Sequence, residues 1–237
     1  MVKIKIISDI HLELSTNPNI VINELFSHSL NTILILAGDI GNPYSDTYLN
    51  LLKHVSSCYY HIILITGNHE YCNNEIHETD NYIRQLCKDL ANVHFLQTDS
   101  IEIDNIRFIG CTLWSNCDID YSSFINDFVK IKKFSVYEYI KLHYLQAEFL
   151  KQNIIENDKI NIVVTHHLPS YKLISQKFKN HFLNSYFASE LENLMQYANY
   201  WICGHTHQYI RKKIGNCECI INPIGYNNEV TLYEKEC

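Results

Sequence analysis

Apolar residues in this chain come in short uninterrupted runs, and each run closes on a polar cluster: "KIKIISDIH" at 3–11, "TILILAGDIG" at 32–41, "HIILITGNHE" at 61–70, "INIVVTHHLP" at 160–169 and "YWICGHTH" at 200–207. Runs this short, rich in Ile and Val, predict buried strands. The intervening stretches 45–57, 75–90 and 136–154 change to helical spacing. In the last of these, Val136, Ile140, Ala147, Leu150 and Ile154 form the apolar stripe, with Tyr144 beside it. Strands alternating with helices predict an α/β protein. Two segments depart from the alternation: "SIEIDNIRFIGCTL" at 100–113 carries Asp104-Asn105, and "KKIGNCECIINP" at 212–223 carries Gly215-Asn216. Both pairs are turn formers, so each segment reads as a hairpin. Hairpins inside an alternating framework fit two sheets with helices outside them. Residues 114–135, "WSNCDIDYSSFINDFVKIKKFS", have weak periodicity and read as an excursion over one face of the sandwich, bordering any pocket there and too polar for the core. No Pro/Gly/Ser-rich linker divides the chain, and its 237 residues suit a single domain spanning 1–237.

Composition narrows the class. With 46% hydrophobic and 19% charged residues, 7 Gly and 4 Pro, the chain is neither disordered nor fibrous. Its nine cysteines are an odd number without a C-x-x-C pair, which argues against a disulfide framework or a structural zinc site and points to a reducing, cytoplasmic setting. Cys217 and Cys219 flank one residue of an expected strand and share a side, where packing is the simpler reading than metal binding. The amino-terminal "MVKIKIISDI" begins a strand rather than a secretion signal, and no run reaches membrane-spanning length, so no membrane partner is expected. A net charge of −7 without a basic stripe speaks against long nucleic acids as partners, and "KIKK" at 130–133 reads as a solvated face.

The chemistry lies at the ends of the runs. His205 and His207 are two apart, so in extended backbone they share a side, and a tight turn at Gly204 lets both imidazoles converge. Taken alone, the pair is better explained by one His bonded to the backbone and the other solvated. The company it keeps changes that reading. Asp9 and His11, Asp39, Asn68 and His69, and His166 and His167 hold the same place on the other runs, outside the carboxyl ends of strands where α/β sheets bind ligands. Polar groups at five strand ends would each carry a desolvation penalty without a common purpose. A set of carboxylate, amide and imidazole donors suits divalent or trivalent first-row metals such as manganese, iron, zinc or nickel, whereas all-oxygen sites suit magnesium or calcium. The number of donors implies two ions. Asp39 has two carboxylate oxygens with which to bridge them, and a hydroxide held between them would be a strong nucleophile at neutral pH.

"DIH" at 9–11, "GD" at 38–39, "GNHE" at 67–70, the first His of "VVTHH" at 166 and "GHTH" at 204–207 match, in order and over nearly the whole chain, the motifs of calcineurin-like metallophosphoesterases. The chain resembles this family, and "GCTLWSN" at 110–116 and "NPIGY" at 222–226 resemble a small single-domain branch of it. The resemblance implies a four-layer α/β/β/α sandwich of two mixed sheets flanked by helices. It also implies a phosphohydrolase dependent on a dinuclear metal centre, which cleaves phosphomonoesters or phosphodiesters of a small phosphorylated substrate. On this reading Asp9, His11 and His207 hold one metal, Asn68, His166 and His205 hold the other, and Asp39 bridges. His69 lies beside the metals as the catalytic proton donor. His167 either backs a ligand, contacts substrate or is purely structural; Trp114 is either a core anchor or a platform for a base or sugar. The alternative is a non-catalytic protein-binding scaffold of the same fold, since some relatives serve as interaction subunits after losing metal ligands. Here every expected ligand position is filled.

Overall fold

Strands without a polar face need cover on both sides, and the structure, a computed structural model describing residues 2–155 and 158–226, provides it with two sheets stacked between helices. The smaller sheet has the order β1 (Lys3–Ile7), β2 (Ser29–Ala37), β3 (Tyr59–Ile65) and β4 (Val93–Phe95), every pair parallel. Parallel neighbours require crossovers. Helices α1 (Pro18–Leu25), α2 (Asp46–Cys58) and α3 (Ile76–Cys87) supply them, one between each successive pair of strands. The larger sheet runs β5 (Asp99–Ile103), β6 (Ile106–Cys111), β7 (Ile160–Thr165), β8 (Tyr200–Cys203), β10 (Cys217–Ile221), β9 (Ile210–Ile214). Its centre is parallel, and the two expected hairpins form its antiparallel edges. The mixed character therefore belongs to the larger sheet.

Alternate residues of each strand serve different layers. Ile33, Ile35 and Ala37 of β2 and Ile63 and Ile65 of β3 meet Phe108, Ile162, Val164 and Ile202 of the larger sheet. Leu34, Leu36, Ile62 and Leu64 turn the other way, onto Leu51 and Val55 of α2 and Ile83 of α3. The outer face of the larger sheet, with Ile109, Val163, Trp201 and Cys219, is covered by Leu150 of a long helix, Val136–Asn153, and by Leu194 and Met195 of a short one, Glu192–Met195. A four-residue helix, Asp127–Lys130, is α4, which makes these two α5 and α6. Cys217 and Cys219 pack inside this outer layer, fully buried. The eight described cysteines are free; Cys237 and the carboxyl-terminal end of the expected 1–237 unit lie outside the described residues. Among the described residues no helix is long and apolar enough to cross a membrane.

The excursion at 114–135 corrects two expectations. Its two ends contribute to the core: Trp114, Cys117, Ile131 and Phe134 are buried in an aromatic cluster with Tyr71, Tyr139 and Tyr186. Trp114 is 0% exposed, its ring 4.9 Å from that of Phe134 and 5.0 Å from that of Tyr139, so no base or sugar can stack on it. The stripe of α5 also differs from the expected one. Its buried residues are Tyr139, His143, Gln146 and Leu150, and Tyr144 is exposed. The reason is that α5 covers loop backbone whose polar groups need partners. Gln146 Oε1 accepts from the Trp114 N–H at 3.0 Å, and His143 Nδ1 donates to the Trp114 carbonyl at 2.8 Å. Replacing Trp114 with Ala is expected to lower stability by about 3–5 kcal/mol, read from urea unfolding, while leaving the relative rates on different substrates as they are in the folded protein. An unchanged unfolding midpoint would remove Trp114 from the core.

Candidate metal centre and catalytic pocket

The runs β1, β2, β3, β7 and β8 deliver their polar clusters to one region, and the backbone there is bent sharply. Asp9, His11, Asp39, His205 and His207 all have positive φ, between 48° and 69°. A non-glycine residue in this left-handed region costs on the order of 1 kcal/mol or more, so its surroundings must hold it there. Ladder-like bonds join the first two loops: the N–H groups of Asp9, His11 and Leu12 donate to the carbonyls of Gly38, Asp39 and Ile40, each at 3.0 Å. Asp39 Oδ1 accepts from the His69 N–H and Asp9 Oδ1 from the His205 N–H, both at 2.8 Å. Glu70, almost fully buried, accepts from the N–H groups of Ile40, Gly67 and Asp39 at 2.7, 2.8 and 3.0 Å. Burial and the charge of Asp39 push its carboxyl up to about 7.

These loops aim seven expected ligands at a common centre. Donor atoms of Asp9, His11 and His207 lie within 4.8 Å of one another, as do those of Asp39, His166 and His205; a third group of His11, Asp39 and His69 overlaps both. Asp39 Oδ2 sits between His166 Nε2 at 3.2 Å and His11 Nε2 at 3.8 Å, the placement a bridging carboxylate needs. The chemistry of the donors fits a cation. Asn68 Nδ2 donates to Asp127 Oδ1 at 3.0 Å, which leaves Asn68 Oδ1 buried as an acceptor without a hydrogen bond. His166 Nδ1 donates to the Ala37 carbonyl at 3.0 Å, which turns Nε2, also without a hydrogen bond, to the Asp39 carboxylate. Nε2 of His11 and Nε2 of His207 face each other at 3.1 Å, a contact that requires a shared proton or cation. Burial and the neighbouring imidazoles of His167 and His166 keep His205 neutral, as a ligand must be. Burial disfavours charge on His166, but Asp39 outweighs it and raises that pKa to about 10; a cation beside the pair would take over the role of this proton.

His69 stands apart from the buried ligands. It lines the cavity, about a fifth exposed, and its Nδ1 is 3.3 Å from Glu13 Oε1, the same oxygen that lies 3.2 Å from His11 Nδ1. Burial lowers the His69 pKa, yet the Glu13 bond and the charge of Asp39 outweigh it and raise it to about 9. His167 takes only one of its proposed roles near the site. It is buried, donates from Nδ1 to the Thr112 carbonyl at 3.4 Å and sets its ring 4.3 Å from that of His205, so it backs a ligand; it does not line the cavity and cannot touch substrate there. The cavity, about 510 Å³, opens on Asp39, Asn68, His69, His205 and His207. Three residues of the site were missed from the sequence. Glu13 shares a side with His11 by its spacing of two, and Glu70 is part of "GNHE", so both left a readable trace; Asp127, inside the aperiodic excursion, left none.

Gly67 shows how closely the loops approach. A Cβ built there would collide with Asp39 Oδ1 and lie 2.7 Å from the His166 ring, two groups that cannot both yield without moving a ligand. Gly67→Ala is therefore expected to weaken metal binding on the order of 10- to 100-fold in a competition assay with a chromogenic chelator. Wild-type affinity in this variant would show that the two groups do not share an ion.

The family model for calcineurin-like phosphoesterases matches residues 2–209. An uncharacterized protein of Acanthamoeba polyphaga mimivirus, L509, is 29% identical over 258 residues, covering 95% of this chain and 92% of that protein. Among solved structures, the phosphopantetheinyl hydrolase of Mycobacterium tuberculosis superposes with a TM-score of 0.74 at 15% identity, over 96% of this chain and 90% of that one, and so shares the fold. With the match running from β1 through both histidines that follow β8, the chain belongs to the calcineurin-like phosphoesterase family.

Proposed function

We propose that the chain is a phosphoesterase whose centre holds two metal ions, drawn from manganese, iron, zinc or nickel, and hydrolyses a small phosphorylated substrate. The observation that carries this reading is the donor set itself: Asn68 Oδ1 is buried without a hydrogen bond, beside two groups, Asp9, His11 and His207 and Asp39, His166 and His205, whose ligand atoms each converge within 4.8 Å. Two bound ions would polarise a phosphoryl oxygen and lower the pKa of a water molecule. Asp9, His11 and His207 would hold one ion and Asn68, His166 and His205 the other, with Asp39 between them. The remaining task belongs to the chain's own residues. As the phosphorus–oxygen bond breaks, the leaving oxygen gathers negative charge and requires a proton. His69 faces the cavity with its Nδ1 3.3 Å from Glu13, a carboxylate that favours its protonated form, so it would be the donor. The filled ligand positions favour this enzyme over a non-catalytic scaffold of the same fold. The free thiols among the described residues agree with a reducing, cytoplasmic setting.

The test is a screen of aryl phosphomonoesters and phosphodiesters with several metals, run with elemental analysis of the protein. Asp39→Asn removes the central charge and is expected to lower both metal content and turnover; unchanged stoichiometry and activity would rule out the bridging role. His69→Ala is expected to retain the metals and the fold while kcat falls on the order of 10²–10⁴ for an alkyl ester, whose leaving group needs protonation. A nitrophenyl ester departs without help and should lose less. An equal loss on both esters would take His69 out of the proton-donor role.

A further inference from the structure

The cavity is built for more than a phosphoryl group. Beyond the metal ligands its walls come mostly from two irregular segments, the excursion and residues 174–187, and the apolar side chains they present include Phe124, Ile125, Ile174, Phe178 and Phe187. The segments are pinned to each other by ring contacts, Phe124 to Phe182 at 5.4 Å and Tyr121 to Phe182 at 5.0 Å. Phe124 is nonetheless 62% exposed and Phe178 48% exposed, both on a cavity that leads straight to Asp39 and His205. Rings left open to water beside a reaction centre become favourable when something covers them.

Charge says what that something lacks. Lys130 is the sole Lys or Arg among the described residues lining the cavity, and the one carboxylate on the excursion wall, Asp127, is already committed to Asn68. Ile224 packs against the apolar cluster on the outer face of the smaller sheet. Outside the centre, a chain of further phosphates would find one lysine and one imidazole, His181, in a protein of net charge −7. At about 510 Å³ the space accommodates a ring-bearing group of the size of an aryl or nucleobase moiety together with its phosphate.

Resting on the phosphoesterase reading above, we infer that the substrate is a phosphoester with a single phosphoryl group whose organic part is an uncharged ring system, seated between Phe124 and Phe178. The test uses non-hydrolysable phosphonates, so that binding is read separately from turnover. Manganese-loaded protein is titrated calorimetrically with methyl-, hexyl- and 2-naphthylphosphonate and with methylene-bridged bisphosphonate. The naphthyl compound is expected to bind about tenfold or more tightly than the methyl compound, and more tightly than the hexyl and the bisphosphonate. The double variant F124A/F178A should bring the naphthyl-to-methyl ratio close to one. Equal affinities across the series, a preference for the hexyl chain or the bisphosphonate, or an aromatic preference that survives in the double variant would each overturn the inference. Ester hydrolysis without aromatic preference removes this inference alone. Aromatic preference in a protein that hydrolyses no ester removes the phosphoesterase reading and leaves the ring site standing.

Discussion

The centre depends on hydrogen bonds that cross between the two sheets, foremost that from His166 Nδ1 to the carbonyl of Ala37. His166 follows β7 of the larger sheet and Ala37 ends β2 of the smaller one, so this bond, with that from the His205 N–H to Asp9 Oδ1, ties together the two edges that carry ligands. Asp9, His11, Asp39 and Asn68 come from one sheet and His166, His205 and His207 from the other. Neither set closes a site alone. Small residues make the crossing possible, because Gly38, Gly67 and Gly204 all lie against the His166 ring and a methyl group on any of them would strike it. The apolar interface behind, from Ile33 and Ile35 to Phe108 and Val164, is what keeps the edges from sliding.

Around that crossing, buried carboxylates divide their work. Asp39 gives Oδ1 to a backbone N–H and turns Oδ2 toward imidazoles, whereas Asp9 Oδ1 both accepts from the His205 N–H and lies 3.5 Å from His207 Nε2, its Oδ2 accepting from the Ser8 hydroxyl. Glu70 gives both oxygens to backbone and thereby fixes the left-handed bend at Asp39. Glu13 spans His11 and His69, so the residue that would hold a metal and the residue that would donate a proton are oriented by one oxygen atom. Moving either imidazole therefore disturbs the other.

What the sequence made legible follows from range. The strands could be read because double-sided burial requires continuous apolar runs, and the ligands because each run stops at the same edge. The hairpins could be read because Asp104 and Gly215 take the positive φ their turns need. The buried face of α5 could not, since Gln146 and His143 look like surface residues until Trp114, about thirty positions away, presents its backbone to them. Trp114 itself offered no way to separate core from platform, because an indole serves both. The walls of the cavity were the least accessible: residues 171–186 fold as successive single turns of 3-10 helix, which impose no periodicity on Phe178 or Phe187. The separation of Asp127 from Asn68 by 59 positions left that bond equally invisible.

After β10 the chain crosses to the first loop, where Ser8 pairs with Pro223, the Ser8 N–H donates to Asn222 and the N–H groups of Ile224 and Gly225 donate to Ser8 and Asp9. Tyr226 then lays its ring 4.7 Å from that of His11 and 4.4 Å from that of His207. The order of synthesis gives this arrangement a temporal meaning. A nascent chain can pair β1 to β4 and cover them with helices while only Asp9, His11, Asp39 and Asn68 have emerged, an open half-site with few imidazoles and no strap across its first loop. Capture of metal in its final geometry must wait for the carboxyl-terminal part of the chain, which brings the last two histidines together with the strands β9 and β10 that complete the larger sheet.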